Sequence, residues 1–139
     1  MYIKQSDLFL GLNHNFVKEI MAIAGKESHA EGDFIFRLGE PADHFYILIN
    51  GKVQLSLGDS GHVVYTSSDV GETFGWSSLI GRVTYSASAL CLQPTDLLRI
   101  ERHKLQNILE RDKDSGYLFF KQLAGALGNR LLQLYQSAL

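Results

Sequence analysis

At 139 residues, with 45% apolar and 20% charged side chains, the chain is long enough to bury one core and has the balance of an ordered globular domain. Thirteen basic against fifteen acidic side chains give a formal net charge of -2, which offers no field for a phosphate backbone, so nucleic-acid binding by the chain itself is not expected. No apolar run reaches the roughly 18 to 20 residues of a membrane span, and the opening Met1-Tyr2-Ile3-Lys4-Gln5-Ser6 lacks a signal-peptide layout; a cytoplasmic protein without membrane contact is expected.

In chain order, Leu8, Leu12, Phe16, Ile20 and Ile23 recur every three or four residues, the stripe of an amphipathic helix, with a break near Gly11-Leu12-Asn13. Residues 1–28 are expected to form an N-terminal helical segment. From His29 to Ile100 the pattern changes to short runs rich in Val, Ile, Phe, Tyr and Thr, punctuated by glycines, which predicts a small all-β unit. Strands are expected at Asp33–Arg37, Phe45–Ile49, Gly51–Leu57, His62–Ser67, Thr84–Leu92 and Thr95–Ile100. Asn50-Gly51 is a tight-hairpin signal, because a primed turn needs positive φ, and Gly58-Asp59-Ser60-Gly61 is expected to close a second hairpin. Such regular spacing favours a barrel or roll.

Trp76-Ser77-Ser78-Leu79-Ile80 interrupts the β pattern with about the length of one short helix. Residues 101–139 read as helices, His103–Arg111 and then Asp114–Leu139. The second carries Phe120, Ala124, Leu127, Leu131, Leu134 and Ala138 at alternating spacings of four and three. This heptad stripe fits a homodimer seam, and it fits equally a helix packed on its own roll. The expected architecture is therefore a single domain, mainly β with flanking helices: a double-stranded antiparallel, jelly-roll-like β-roll with a short inserted helix and a long C-terminal one.

Little in the chain points to chemistry. Cys91 lies in the apolar run Ala89-Leu90-Cys91-Leu92 and reads as a buried structural thiol. His14, His29, His44, His62 and His103 are scattered without the close spacing of a metal site, so no metal is expected. There is no Gly-x-Ser-x-Gly and no partner for the cysteine, so no catalytic residues and no enzyme activity are expected.

Three segments taken together resemble the cyclic-nucleotide-binding domain family typified by the bacterial catabolite activator protein: Ser6-Asp7-Leu8-Phe9-Leu10-Gly11-Leu12, Glu31 to Asp43, and Phe45 to Val53 with its Asn50-Gly51 turn. The resemblance implies a phosphate-binding cassette, in which a short helix presents backbone N–H groups, an arginine holds the cyclic phosphate and a glutamate holds the ribose hydroxyl. The chemistry suits the task, since a helix start gathers unpaired donors and a guanidinium fork matches phosphate oxygens.

In this chain Gly75 aligns with the cassette glycine. That register places Phe74, Gly75, Trp76, Ser77, Ser78, Leu79, Tyr85, Ser86 and Ala87 at the ligand, with Trp76 where the family has its glutamate and Tyr85 where it has its arginine. Neither an indole nor a phenol neutralises a phosphate. A competing register takes Glu72 and Arg82 as the two charged ligands, but it puts Phe74-Gly75 inside the helix and loses the match of Tyr85 to Ile100.

The resemblance with a degenerate cassette implies a stand-alone regulatory or sensor module that does not bind cyclic AMP canonically: its ligand is a cyclic nucleotide held differently, another small anion or small molecule, or none, and it works through its dimer or a protein partner. Family members pair through the C-terminal helix, which implies a homodimer here. A genuine cyclic AMP or cyclic GMP receptor domain is the alternative, and the sensor half of a transcription regulator lacking its DNA-binding domain is a second.

Overall fold

Val53 and Leu55 are buried while Gln54 and Ser56 are only half-buried, the two-residue period of a strand with one face on a core. The computed structural model describes residues 7–57 and 62–138, of Asp7 and Ala138 the backbone alone. Gly58-Asp59-Ser60-Gly61 lies outside the described residues. Eight strands are described: β1 (Gly25–His29), β2 (Phe34–Phe36), β3 (His44–Asn50), β4 (Val53–Leu57), β5 (His62–Ser67), β6 (Thr73–Phe74), β7 (Ser88–Cys91) and β8 (Thr95–Glu101). A 3-10 turn at Asp7–Phe9, α1 (His14–Ile23), α2 (Arg102–Arg111) and α3 (Lys113–Ala138) flank them.

All pairings are antiparallel and fall into two four-stranded sheets, β1-β8-β3-β6 and β2-β7-β4-β5. The ribbon β3–β4 crosses from one sheet to the other beside the ribbon β7–β8, which is the expected double-stranded roll. Asn50-Gly51 is the corner of that crossing and not a two-residue hairpin, since β3 and β4 belong to different sheets and each pairs with the other ribbon. Gly51 alone takes a positive φ of 116° there, and a Cβ on it would lie 2.4 Å from Thr95 Oγ1 and 2.7 Å from Thr95 Cα. Close approach of the two ribbons, as much as the turn, requires the glycine.

Two further differences from the sequence expectation have physical reasons. Strand β1 occupies residues expected to be helical, so the roll begins at Gly25. It is an edge strand of Gly25-Lys26-Glu27-Ser28-His29, held by its register with β8 and carrying no apolar alternation to announce it. Strand β7 starts at Ser88 and not at Thr84, because Tyr85 spends its backbone elsewhere: its N–H donates to Glu40 O at 2.9 Å, and its C=O accepts from Gly39 N at 3.0 Å.

One core fills the space between the sheets with Phe36, Tyr46, Leu48, Val53, Phe74, Tyr85 and Leu97. A second lies between β3–β8 and the helices, where Phe16, Ile20, Phe45, Ile100, Leu105, Phe119 and Leu123 meet. Helix α3 thus buries Phe119 and Leu123, one residue before the first two positions of the predicted stripe. Phe120 is 40% exposed, and Leu131 and Leu134 are 47% and 41% exposed. The side chain of Ala138 lies outside the described residues.

Candidate functional site

Gly75 has φ +78°, and a Cβ on it would come within 3.0 Å of the Tyr46 ring and 3.1 Å of His44 O. Strand β6 can therefore end against β3 and turn directly into the 3-10 helix Trp76–Leu79. Ser77, Ser78 and Leu79 are buried there. Ser78 Oγ donates to Gly75 O at 2.9 Å, and the hydroxyls of Ser77 and Ser86 lie 3.3 Å apart, joining the helix to the segment that returns toward β7.

Tyr85 is held from three sides. Its ring stacks on Phe36 with centroids 3.8 Å apart, its hydroxyl donates to His44 O at 2.7 Å, and the same oxygen accepts from His44 N at 3.1 Å. Burial pushes the phenols of Tyr85 and Tyr46 above their ordinary value, so both remain neutral donors. Burial, followed by the nearby Arg99 charge, lowers the His44 imidazole below its usual value, against the upward pull of Asp43, Glu101 and Glu27.

Of the residues predicted at the ligand, Gly75, Trp76, Ser77, Tyr85, Ser86 and Ala87 come together on the wall of one cavity of about 270 Å³. Phe74, Ser78 and Leu79 are buried and do not line it. Glu72 and Arg82 are not brought together. The Glu72 carboxylate accepts from Tyr65 OH, from Ser68 N at 3.1 Å and from Asp69 N at 2.8 Å, facing a separate polar cavity of about 300 Å³. Arg82 is exposed, and its carbonyl is reached by Arg102 Nη1 at 3.5 Å.

Sequence reasoning missed the opposite wall. Leu55, Leu57 and Val64 of the β4–β5 pair, Phe36 of β2 and Leu134 of α3 complete the cassette cavity. Leu134, part of the stripe that fits either a dimer seam or packing on the roll, overhangs the cassette. Beside this cavity, sharing Leu55, Val64, Trp76 and Leu134 with it, runs a groove of about 310 Å³ under α3 that also takes in Tyr65, Leu127, Arg130 and Leu131. One signal marks Arg130 in the sequence: it is the only charged side chain from Gln122 to Leu139. Among the described residues no cluster of three or more His, Cys, Asp and Glu side chains suits a metal ion, and no helix is long and apolar enough to cross a membrane.

The sequence pattern of the family described as the cyclic nucleotide-binding domain matches residues 26–112, running from β1 to the end of α2. The chain belongs to the cyclic nucleotide-binding domain family. Its backbone is similar to that of a candidate cyclic nucleotide-binding protein of Geobacter metallireducens GS-15, at 27% identity and a TM-score of 0.82, with 92% of this chain and 94% of that one covered. The catabolite activator protein of Thermus thermophilus follows at 26% identity and a TM-score of 0.77, over 96% of this chain and 62% of that one. Human cyclic nucleotide-gated channel beta-3 is 28% identical over 123 residues, which are 86% of this chain and 15% of the channel, so the chain spans a small part of that relative's length. In this cyclic nucleotide-binding domain, α3 lies beyond the family match, and the groove residues Leu127, Arg130, Leu131 and Leu134 all belong to it.

Proposed function

We propose that this domain is a non-catalytic regulatory module whose cassette does not hold cyclic AMP or cyclic GMP in the manner of a receptor. One observation carries the reading: Trp76 and Tyr85 stand at the two positions where the family resemblance implies a carboxylate and a guanidinium, and among the described residues no charged side chain lines the cavity they share. A buried phosphate needs a compensating charge or several donors. Tyr85 has its hydroxyl engaged at both donor and acceptor positions on His44, and Ser78 has its hydroxyl turned back on Gly75. Each lost hydrogen bond to a charged group is worth about 1.5 to 3 kcal/mol, so two lost contacts weaken cyclic nucleotide binding by at least about a hundredfold.

Isothermal titration with cyclic AMP and with cyclic GMP tests this. Binding no tighter than tens of micromolar is expected. Sub-micromolar binding that is abolished in Arg82→Ala and Glu72→Ala variants and indifferent to Tyr85→Ala would restore the competing register and a true receptor function. The module is further proposed to act as a homodimer through α3, whose outer face carries exposed Tyr117, Phe120, Leu131, Leu132 and Tyr135.

A further inference from the structure

Arg130 is set unusually for a surface arginine. It stands alone in charge on the last two-thirds of α3, and no described carboxylate comes within 4.0 Å of its guanidinium. Its carbon lies 4.3 Å above the centre of the Tyr65 ring, and Nη2 donates to Thr73 O. Tyr65 in turn donates to Glu72, whose carboxylate is already occupied by two backbone amides. These contacts fix the side chain without placing a carboxylate on it, and of the five N–H donors of a guanidinium one goes to the Thr73 carbonyl and another reaches Tyr65.

The fixed cation stands between two unlike spaces. On one side is the polar cavity with Glu72 and Asp69; on the other is the groove of Leu55, Val64, Trp76, Leu131 and Leu134, in which Arg130 is the only charged lining residue among the described residues. The groove continues around Trp76 and Leu134 into the cassette cavity, where no described lining residue is charged. A ligand filling this space meets apolar walls along its length and one positive group at one end. Apolar burial supplies the affinity of such a site, and the few polar groups set the orientation.

We infer that the joined groove and cassette cavity bind a small apolar monoanion, an aromatic or aliphatic body with one carboxylate or sulfonate, which Arg130 holds by its acidic end. This rests on the reading of the cassette as lacking its own charged ligands, because a working phosphate site there would place the anion at the opposite end. Arg130 is then the specificity-determining residue: it selects an acidic ligand over a neutral one of the same shape.

Trp76 is the only tryptophan of the chain and lines both spaces, so a probe bound there quenches its emission, and the Arg130 variants separate that site from the outer face of α3. The probes are 8-anilino-1-naphthalenesulfonate and N-phenyl-1-naphthylamine, which share an aromatic body and differ by one sulfonate. The sulfonate is expected to bind the wild-type protein at least tenfold more tightly than the amine, by quenching of Trp76 emission. Arg130→Gln is expected to remove that preference while leaving the amine's affinity unchanged, and Arg130→Lys to keep part of it. Equal affinity of the two probes for the wild-type protein overturns the inference whatever the variants do, and so does an undiminished preference in Arg130→Gln. Cyclic AMP titrated against the probe-free protein reads the cassette separately, so tight cyclic AMP binding defeats the proposed function without deciding the probe comparison.

Discussion

The Tyr85 hydroxyl bridges both backbone polar groups of His44 where the 39–44 loop enters β3, and its ring stacks on Phe36 in the inter-sheet core. Tyr85→Phe keeps the stack and removes the bridge, leaving a half-buried N–H and C=O short of a partner. It is expected to cost about 1 to 3 kcal/mol in denaturant unfolding, and a change below about 0.5 kcal/mol would show the bridge to be replaceable by water. His44 itself makes stability pH-dependent. Burial and Arg99 lower its folded pKa below the unfolded value near 6.5, so the unfolded chain binds the extra proton first. The contribution is present above that value and is lost as pH falls from it toward the folded pKa. Asp96 and Glu101, whose carboxyls sit below their ordinary values, act only at more acidic pH. The unfolding midpoint should therefore drop between about pH 7 and pH 5, and His44→Gln should flatten that slope. An unchanged slope in the variant would assign the dependence elsewhere.

At the scale of elements, the sequence was most readable where one residue type does one job. The alternation in β4 and β8 announced those strands close to their observed bounds, and the apolar stripe announced α1 after the break near Gly11-Leu12-Asn13 but not its end before β1. Edge strand β1 went unseen because an edge is held by its neighbour's backbone and demands no apolar side chain. Asn50-Gly51 was seen as a turn and assigned to the wrong one, since the local signal for positive φ carries no information about which sheet the next strand joins. The cassette was legible as a segment, from Gly75 and its aromatic neighbours, whereas its far wall comes from residues remote in sequence and periodic in their own right. Helix α3 illustrates the same limit: its stripe was visible, and the choice of Phe119 and Leu123 as the core face depended on the neighbouring α1 and Asp7–Phe9 segments. Its glycines are more transparent. Gly125 is exposed, and a Cβ there would meet nothing within 4 Å, so nothing among the described residues requires it. Gly125→Ala is expected to stabilise the domain by up to about 1 kcal/mol through helix propensity alone, read as a rise in thermal midpoint; destabilisation would mean that another surface approaches α3 there.

On the scale of the whole molecule, the question is what covers α3. Helix α3 spans 26 residues, about 39 Å, and only its first half is anchored in the core by Phe119 and Leu123. Along the helix an edge runs through exposed Tyr117, Phe120, Ala124, Leu131 and Tyr135 and half-buried Gly128, three or four residues apart. Compared with the stripe read from sequence, this edge is turned away from the roll, because Leu127 and Leu134 face the groove and only Leu131 belongs to both. Ala124 and Gly128 are small enough for a second helix to approach closely, and the flanking aromatics supply the area. A homodimer formed along this edge would also set Leu131 between seam and groove, so that assembly and groove filling act on the same side chain. The expected outcome in light scattering at micromolar concentration is a dimer. Tyr117→Glu with Tyr135→Glu places a like charge on each partner at residues 69% and 58% exposed in the single chain, so the fold should survive while the dimer is lost. A wild-type monomer, or a dimer indifferent to both substitutions, would leave this edge to a different protein partner and remove the coupling through Leu131.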